Sequence, residues 1–286
     1  MPVVSIVTTC FNAEGCIRKT IESVLSQTFR DFEYIIKDGG STDATMKIAA
    51  SYAPEFEKRH IPYYYYTKKD SGIYDGMNHG VGYCHGTFIN FMNADDFFFD
   101  DSVLSRIFEN HDFSDTDVIY GDAVEYECGQ YYRYQKDFGR IERSMPFSHQ
   151  SVFARRTLLL EYPFVTDYRI GADYDFLLTA FQKGARFKDC DVTICVVSRD
   201  GVSSVDLYHT FVETVAIQER HGIRRFTEKQ YKKKLFFLKI KQFVLLHFPH
   251  AVVSFIRRIQ RAVRKQNEVV NLCDNRYRNE ADHEKN

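Results

Sequence analysis

Asp95 and Asp96 are adjacent carboxylates that directly follow the compact apolar run FINFM at 88–92. Two like charges side by side raise each other's pKa unless a positive charge stands with them. A divalent cation supplies that charge, since Mg2+ or Mn2+ takes oxygen ligands, commonly one or two carboxylates with the rest from phosphate and water. The pair therefore suits an enzyme that handles a diphosphate through a metal. Taken alone, the dipeptide is better explained as a helix cap and a solvated loop acid; its place after a buried strand, together with the order of the other motifs, favours the metal. Asp38 opens the turn DGGSTD at 38–43, at the end of the apolar run FEYIIK. There a carboxylate can accept hydrogen bonds from ribose hydroxyls or a base N–H. The chain has neither a G-x-G-x-x-G pattern nor a Walker lysine loop, so no glycine loop is at hand to cradle phosphates.

These carboxylates need a frame that gathers strand ends. Residues 3–9 form a β-branched run, the pattern of a parallel strand buried on both faces. Ile17, Ile21, Val24 and Leu25 stand at helical spacing within 16–27, and 32–37 reads as a second strand. Ser41, Thr42 and Asp43 can cap a helix over 44–52. A strand at 63–67, a helix at 73–84 and a strand at 88–92 continue the alternation. Strand and helix in turn predict a doubly wound α/β sheet, in which ligands gather beyond the carboxyl ends of the strands. Asp38, Asp95 and Asp96 all fall there. The second half predicts a helix at 101–110, a strand at 117–120 with a turn at Gly121-Asp122, and a hairpin at 126–134. A loop and strand at 144–153, a helix at 171–183 and a closing strand at 192–197 follow.

Composition sets bounds. With 286 residues, 44% of them hydrophobic and 27% charged, the chain has enough apolar mass for a large buried core and is not a disordered polymer. Its 25 Phe and 19 Tyr can stack on sugars or bases, although aromatic core packing accounts for them as well. Seven irregularly spaced cysteines contain no C-x-x-C pair, which points to reduced thiols. The start MPVVSIVTTCF shows no basic leader, and no apolar run reaches the eighteen or so residues of a spanning helix. The net charge of −1 conceals a basic stretch at 224–265, where Lys and Arg interleave with LFFLKIKQFVLLHF against the single acid Glu228. Such a mixture predicts amphipathic helices on an anionic membrane surface, with a helical subdomain packed on the core as the other reading. No nucleic-acid-binding module is recognisable.

Five motifs in order resemble a family 2 glycosyltransferase of the GT-A fold: SIVTTCFN (5–12), SVLSQTF (23–29), DGGSTD (38–43), KDSGIYDGMNHG (68–79, with Gly80) and FINFMNADD (88–96). The likeness continues more weakly through HQSVF (149–153) and GADYDFLL (171–178) and fades near residue 205. The resemblance implies a Rossmann-like, mostly parallel central sheet flanked by helices, with a helical extension. It bounds a catalytic domain at 1–205, with its nucleotide-sugar half at 1–100 and its acceptor half at 101–205, and the change in composition beyond it sets off a basic amphipathic helical extension at 206–265 and a polar tail at 266–286.

The resemblance also implies roles. Thr9 and Phe11 would line the nucleobase pocket, Asp38 would bind uracil or ribose, and Asp70 would lie against the donor. Asp95 would serve the donor ribose or sugar and Asp96 the metal; the family's usual spaced acid is Asn93 here. The catalytic base usually ends a Glu-Asp pair, whose place is taken by Ala172-Asp173, so Asp173 would take the proton of the acceptor hydroxyl. Asp175 is the rival, about 200° away around the helix, and a helix N-cap is the structural alternative for Asp173. His149 would approach the diphosphate or acceptor, and Arg199 would help neutralise the diphosphate. The expectation is an inverting, metal-dependent hexosyl- or N-acetylhexosaminyltransferase using a UDP-sugar. It would act on a glycan or polyprenyl-linked acceptor, peripherally at the inner face of the cytoplasmic membrane, in bacterial surface polysaccharide assembly. A catalytically silent GT-A domain and a sugar-phosphate nucleotidyltransferase are the competing readings. The latter would carry a Gly-rich basic loop after the first strand, where CFNAEG stands instead.

Overall fold

The computed structural model describes residues 2–127, 130–134, 136–198 and 206–247. Strand β1 (Val4–Cys10) has no exposed residue, because helices cover both faces of the sheet around it. Ile6 and Val7 point to opposite sides and enter two different apolar clusters, as the two-residue period of a strand requires. β1 lies between β2 (Phe32–Asp38) and β4 (Phe88–Phe91), with β3 (Tyr63–Thr67) at the edge beyond β2, all four parallel. That half matches the sequence expectation of a doubly wound sheet.

Beyond β4 the sheet changes character. β8 (Val152–Arg155) joins β4 and β6 (Val118–Glu127) antiparallel to both, whereas β6 and β9 (Phe187–Ser198) run parallel. The two-residue strand β5 (Phe97–Phe98) closes the order β3-β2-β1-β4-β8-β6-β9-β5, and β7 (Gln130–Tyr134) hangs on β6 as a hairpin. Gly121 does not make the expected turn. The register of β6 on β9 shifts there, so the strand bulges and runs on to Glu127. A Cβ at Gly121 would stand 2.4 Å from the Val192 carbonyl oxygen, so only glycine allows the strands to meet.

Helices α1 (Ile17–Leu25), α2 (Thr45–Ser51), α3 (Ala53–Lys58) and α5 (Val103–Phe108) cover one face. Helices α4 (Ile73–Tyr83), α6 (Arg156–Glu161) and α7 (Ala172–Gln182) cover the other. Ile17, Ile21 and Val24 of α1 are completely buried, each worth about 1.5–3 kcal/mol. Asp43 takes the Thr45 N–H at 2.9 Å and so starts α2, and Pro54 in the first turn of α3 restarts the helix after Tyr52.

α8 (Leu207–Arg220) is fastened to α7 rather than appended. Glu213 accepts the backbone N–H groups of Arg169, Ile170 and Gly171 at 2.8–3.0 Å, which covers the loop that leads into α7. Arg220 and His221 reach Asp175 at 3.1 and 3.0 Å. α9 (Glu228–His247) packs along α8. No helix among the described residues is long and apolar enough to cross a membrane.

Candidate active site

Because β1, β2 and β4 are parallel and in register, Thr9, Cys10, Asp38 and the residues after Phe91 reach the same rim of the sheet. Phe11 stands there 63% exposed, a free aromatic face at the end of β1. Asp38 is fully buried and folds into its own loop, accepting the N–H groups of Gly40 and Ser41 at 3.1–3.2 Å and the Ser41 hydroxyl. Its first duty is thus to shape the turn that the donor would touch.

Asp70 sits under the same rim in an ion pair with Lys37, whose side chain is wholly buried. A Cβ at Gly39 or at Gly76 would stand 3.0 Å from an Asp70 carboxylate oxygen, so both glycines make room for that carboxylate. Lys37 escaped the sequence reading because a lysine ending a strand looks like a solvated edge. Its ammonium donates to the carbonyl of the adjacent Asp38 at 3.0 Å, but its ion-pair partner Asp70 lies 33 positions away.

The turn after β4 separates the two adjacent acids. Asp95 is exposed in the left-handed region at φ 84°, a conformation Asp tolerates better than most residues, and its N–H is held 3.1 Å from the Thr20 hydroxyl. Asp96 turns inward. Its carboxylate accepts the Gln150 amide at 2.6 Å and the Ser198 N–H at 3.3 Å. Burial pushes its pKa up to about 6, against the lowering effect of the Gln150 bond and of His149. The expectation made Asp96 the main metal ligand, yet Asp95 is the one facing outward.

Among the described residues no group of three or more His, Cys, Asp and Glu is arranged to hold a metal ion. Two carboxylates completed by diphosphate and water are nevertheless the donor set Mg2+ or Mn2+ accepts, and a carboxylate desolvated as Asp96 is gains from a neighbouring cation. The residues fit the metal.

A hydrogen-bonded chain leads from this rim to α7. The Thr9 hydroxyl donates to Asn93 Oδ1 at 2.6 Å, which orients the amide so that Nδ2 donates to His149 Nε2 at 2.9 Å. The other ring nitrogen, Nδ1, then carries the proton toward Asp173 Oδ2 at 3.0 Å. Burial opposes charge on His149, but the hydrogen bond and charge of Asp173, then the charge of Asp96, outweigh it and raise its pKa. The Asn93 amide works against that second proton. On the far side the Tyr74 hydroxyl shares its one proton between the Ile170 carbonyl and Asp173 Oδ1, the latter at 3.1 Å. Burial and then the Asp173 charge keep that phenol protonated, well above its usual pKa. A small cavity whose other walls include the apolar side chains of Met77, Ile89, Phe91, Phe164 and Leu177 borders His149 and Asp173.

Asp173 is the second residue of α7 and not its cap, which is Gly171. Asp175, the rival base, is 3% exposed and bound to Arg220 and His221 on the side facing α8. Just before Ala172, the N–H groups of Ile170 and Gly171 are held by Glu213 of α8. Arg199 lies outside the described residues.

Comparison with known proteins agrees with this architecture. Among curated proteins, the chain is 31% identical over 230 residues to a PGL/p-HBAD biosynthesis glycosyltransferase of Mycobacterium bovis BCG, covering 78% of this chain and 88% of that one. Among solved structures it is similar to S. aureus TarS 1-349 in complex with UDP, at TM-score 0.59 and 20% identity, over 82% of this chain and 69% of TarS 1-349. It is also similar to the mannosyltransferase PcManGT of Pyrobaculum calidifontis in complex with GDP-Man and Mn2+, at TM-score 0.59 and 17% identity, over 85% of this chain and 70% of that one. The fold is GT-A. The sequence model of Glycosyl transferase family 2 matches residues 5–172, and with the strand-end carboxylates in the order described, the chain belongs to that family.

Proposed function

We propose that the chain is an inverting transferase that moves a hexosyl or N-acetylhexosaminyl group from a UDP-sugar to a hydroxyl of a glycan or polyprenyl-linked acceptor. The observation that carries this reading is Asp173, held by His149 and Tyr74 at the rim where the Asp95-Asp96 turn also ends. Asp173 takes the proton of the acceptor hydroxyl as that oxygen attacks the anomeric carbon, and the bond from that carbon to the diphosphate oxygen breaks. A single base with no second nucleophile implies one displacement and inversion. Bound at Asp95, with Asp96 behind it, Mg2+ or Mn2+ would neutralise charge on the departing diphosphate. Thr9, Phe11, Asp38 and Asp70 serve the donor side, Phe11 by stacking on the base, while His149, at the same rim, holds Asp173. Arg199 joins them on the family resemblance alone.

The reading places the enzyme at the inner face of the cytoplasmic membrane in bacterial surface polysaccharide assembly. Residues 1–205 carry catalysis, and 224–265 provide attachment to anionic lipid. Support for a nucleotide-sugar donor comes from S. aureus TarS, solved with UDP and with UDP-GlcNAc, and for a metal from PcManGT with its Mn2+. Thermal-shift and donor-hydrolysis assays over a panel of nucleotide sugars, with and without Mn2+, test the proposal on wild type and Asp96→Ala. A UDP-sugar should stabilise and be hydrolysed by wild type only when Mn2+ is present, and the variant should lose both responses. No response to any donor, with the variant behaving as wild type, would end the proposal.

A further inference from the structure

α9 carries two stripes that 3.6 residues per turn keep apart. Tyr231, Leu235, Leu238 and Gln242 follow one another at spacings of four, three and four, all at least partly buried. This stripe faces α8. Tyr231 stacks on Phe211 with ring centres 5.7 Å apart, and Gln242 takes the Tyr208 N–H at 3.1 Å and donates to Asp206 at 3.2 Å. Lys239 and Lys234 spread their ammonium groups over the rings of Tyr208 and Phe211 at 5.0 and 5.4 Å. The helix is therefore anchored on the protein without help from its remaining residues.

Lys229, Lys233, Phe236, Ile240 and Phe243 form the second stripe, at spacings of four, three, four and three, with Phe237 beside it. All are exposed: Phe236 by 62%, Phe237 by 58%, Ile240 by 47% and Phe243 by 57%. Four large apolar side chains in one patch on a single helix mark a contact surface rather than scattered surface apolarity. The stripe is also graded along its length. Cations fill its first two turns, where Lys232 pairs with Glu228 at 2.6 Å and Lys229 and Lys233 stand beside them, and aromatic and aliphatic residues fill the next two.

We propose that this outward stripe seats α9 in an anionic lipid surface at a tilt, with Lys229 and Lys233 at the phosphate level and Phe236, Phe237, Ile240 and Phe243 below it. The inference rests on the reading that the chain attaches peripherally to a membrane, and it names the face and the orientation. The apolar part spans roughly 11 Å of helix, which suits the ~5–10 Å depth of interfacial helices and falls far short of the ~30 Å hydrocarbon core. A second copy fits less well. A helix seam needs apolar positions sustained over three or four heptads, and lysines hold the first two places of this one. Charge complementarity selects anionic over neutral lipid. With α9 fixed to α8, and α8 fixed to α7 through Glu213 and Asp175, the seated helix would set which way the rim bearing Asp173 faces.

Flotation of the full chain with phosphatidylcholine vesicles, and with vesicles mixing phosphatidylcholine and phosphatidylglycerol, tests this. Wild type is compared with Phe236→Ser/Phe237→Ser/Ile240→Ser/Phe243→Ser and with Lys229→Glu/Lys233→Glu, all four apolar positions and both lysines being solvent-facing. The expected result is binding to the anionic vesicles only, weakened about tenfold or more by either set of substitutions, with donor-induced thermal shifts unchanged. If wild type floats and both variants float equally well, the face is wrong while membrane attachment stands. If wild type does not float with either vesicle, attachment falls and this proposal with it. A wild-type dimer that the serine variant converts to monomer, without change in flotation, would assign the stripe to a second copy and overturn the lipid reading.

Discussion

The Nδ1 nitrogen of His149 lies 3.0 Å from the Asp173 carboxylate, so a residue from the turn before β8 holds the carboxylate that opens α7. Asn90 secures that turn by donating to the carbonyls of Gln150 and Val152, both at 2.8 Å. In the proposed role of Asp173 as the base, a position set by two neighbours makes the rate depend on both. His149→Ala should lower kcat for transfer on the order of 10- to 100-fold while the donor KM stays within about threefold. Steady-state kinetics with the donor varied checks this; an unchanged kcat with a raised donor KM would assign His149 to donor binding instead.

Tyr74→Phe removes one hydroxyl and keeps the ring against Phe164, with centroids 5.7 Å apart. The Asp173 carboxylate loses its second support and the Ile170 carbonyl its donor. A fall in kcat of about tenfold is expected, with stability reduced by no more than about 1–3 kcal/mol. Urea denaturation run beside the kinetics separates the two effects.

Asp95 and Asp96 should part company in stability. Asp95→Asn removes the charge of an exposed side chain, keeps a residue that tolerates the left-handed backbone, and should shift unfolding by less than about 0.5 kcal/mol. Asp96→Ala leaves the Gln150 amide and the Ser198 N–H without their acceptor and should cost about 1–3 kcal/mol. Both should lose Mn2+-dependent donor binding. Equal stability losses would show that Asp96 is not the inward anchor described.

Lys37→Met strands Asp70 without its buried cation and should destabilise the protein by about 3–5 kcal/mol. The double variant Lys37→Met/Asp70→Asn should recover most of that loss without recovering donor binding. Chemical denaturation of the single and double variants gives the coupling directly. A double variant as unstable as the single one would mean that the pair is not the source of the cost.

Asp175→Asn should cost about 1–3 kcal/mol by loosening α8 from α7, with most of the loss from His221, since Arg220 is half exposed. Transfer by the folded variant should stay within about threefold of wild type. A loss of turnover as large as that from Asp173 substitution would reinstate Asp175 as a base.

What the residues disclosed and what they hid divide along physical lines. β1, β2 and β4 were legible because parallel strands buried on both faces are continuous apolar runs, and the DGGSTD and NADD turns were placed correctly by following them. Strand β5 was hidden because two residues have no periodicity. Gly121 was read as a turn because a glycine before an aspartate carries the same signal in a bulge as in a reversal. Within the site, Asp95, Asp96, His149 and Asp173 could be singled out by motif, but their division into outward and inward groups could not. That division depends on Thr20, Gln150 and Ser198, partners 54 to 102 positions away. Tyr74, Lys37 and Glu213 were missed for the same reason: each acts through a contact between distant segments, and a tyrosine, a lysine or a glutamate carries no local mark of it.

Sugar transfer from a radiolabelled UDP-sugar to a polyprenyl-linked acceptor by Asp173→Asn, with donor binding measured on the same sample, tests the central claim most directly. The amide is isosteric and cannot take a proton at neutral pH. Transfer should fall by at least about 100-fold while donor affinity stays within about threefold of wild type. Near-normal transfer by Asp173→Asn would contradict the assignment of the base and the mechanism built on it.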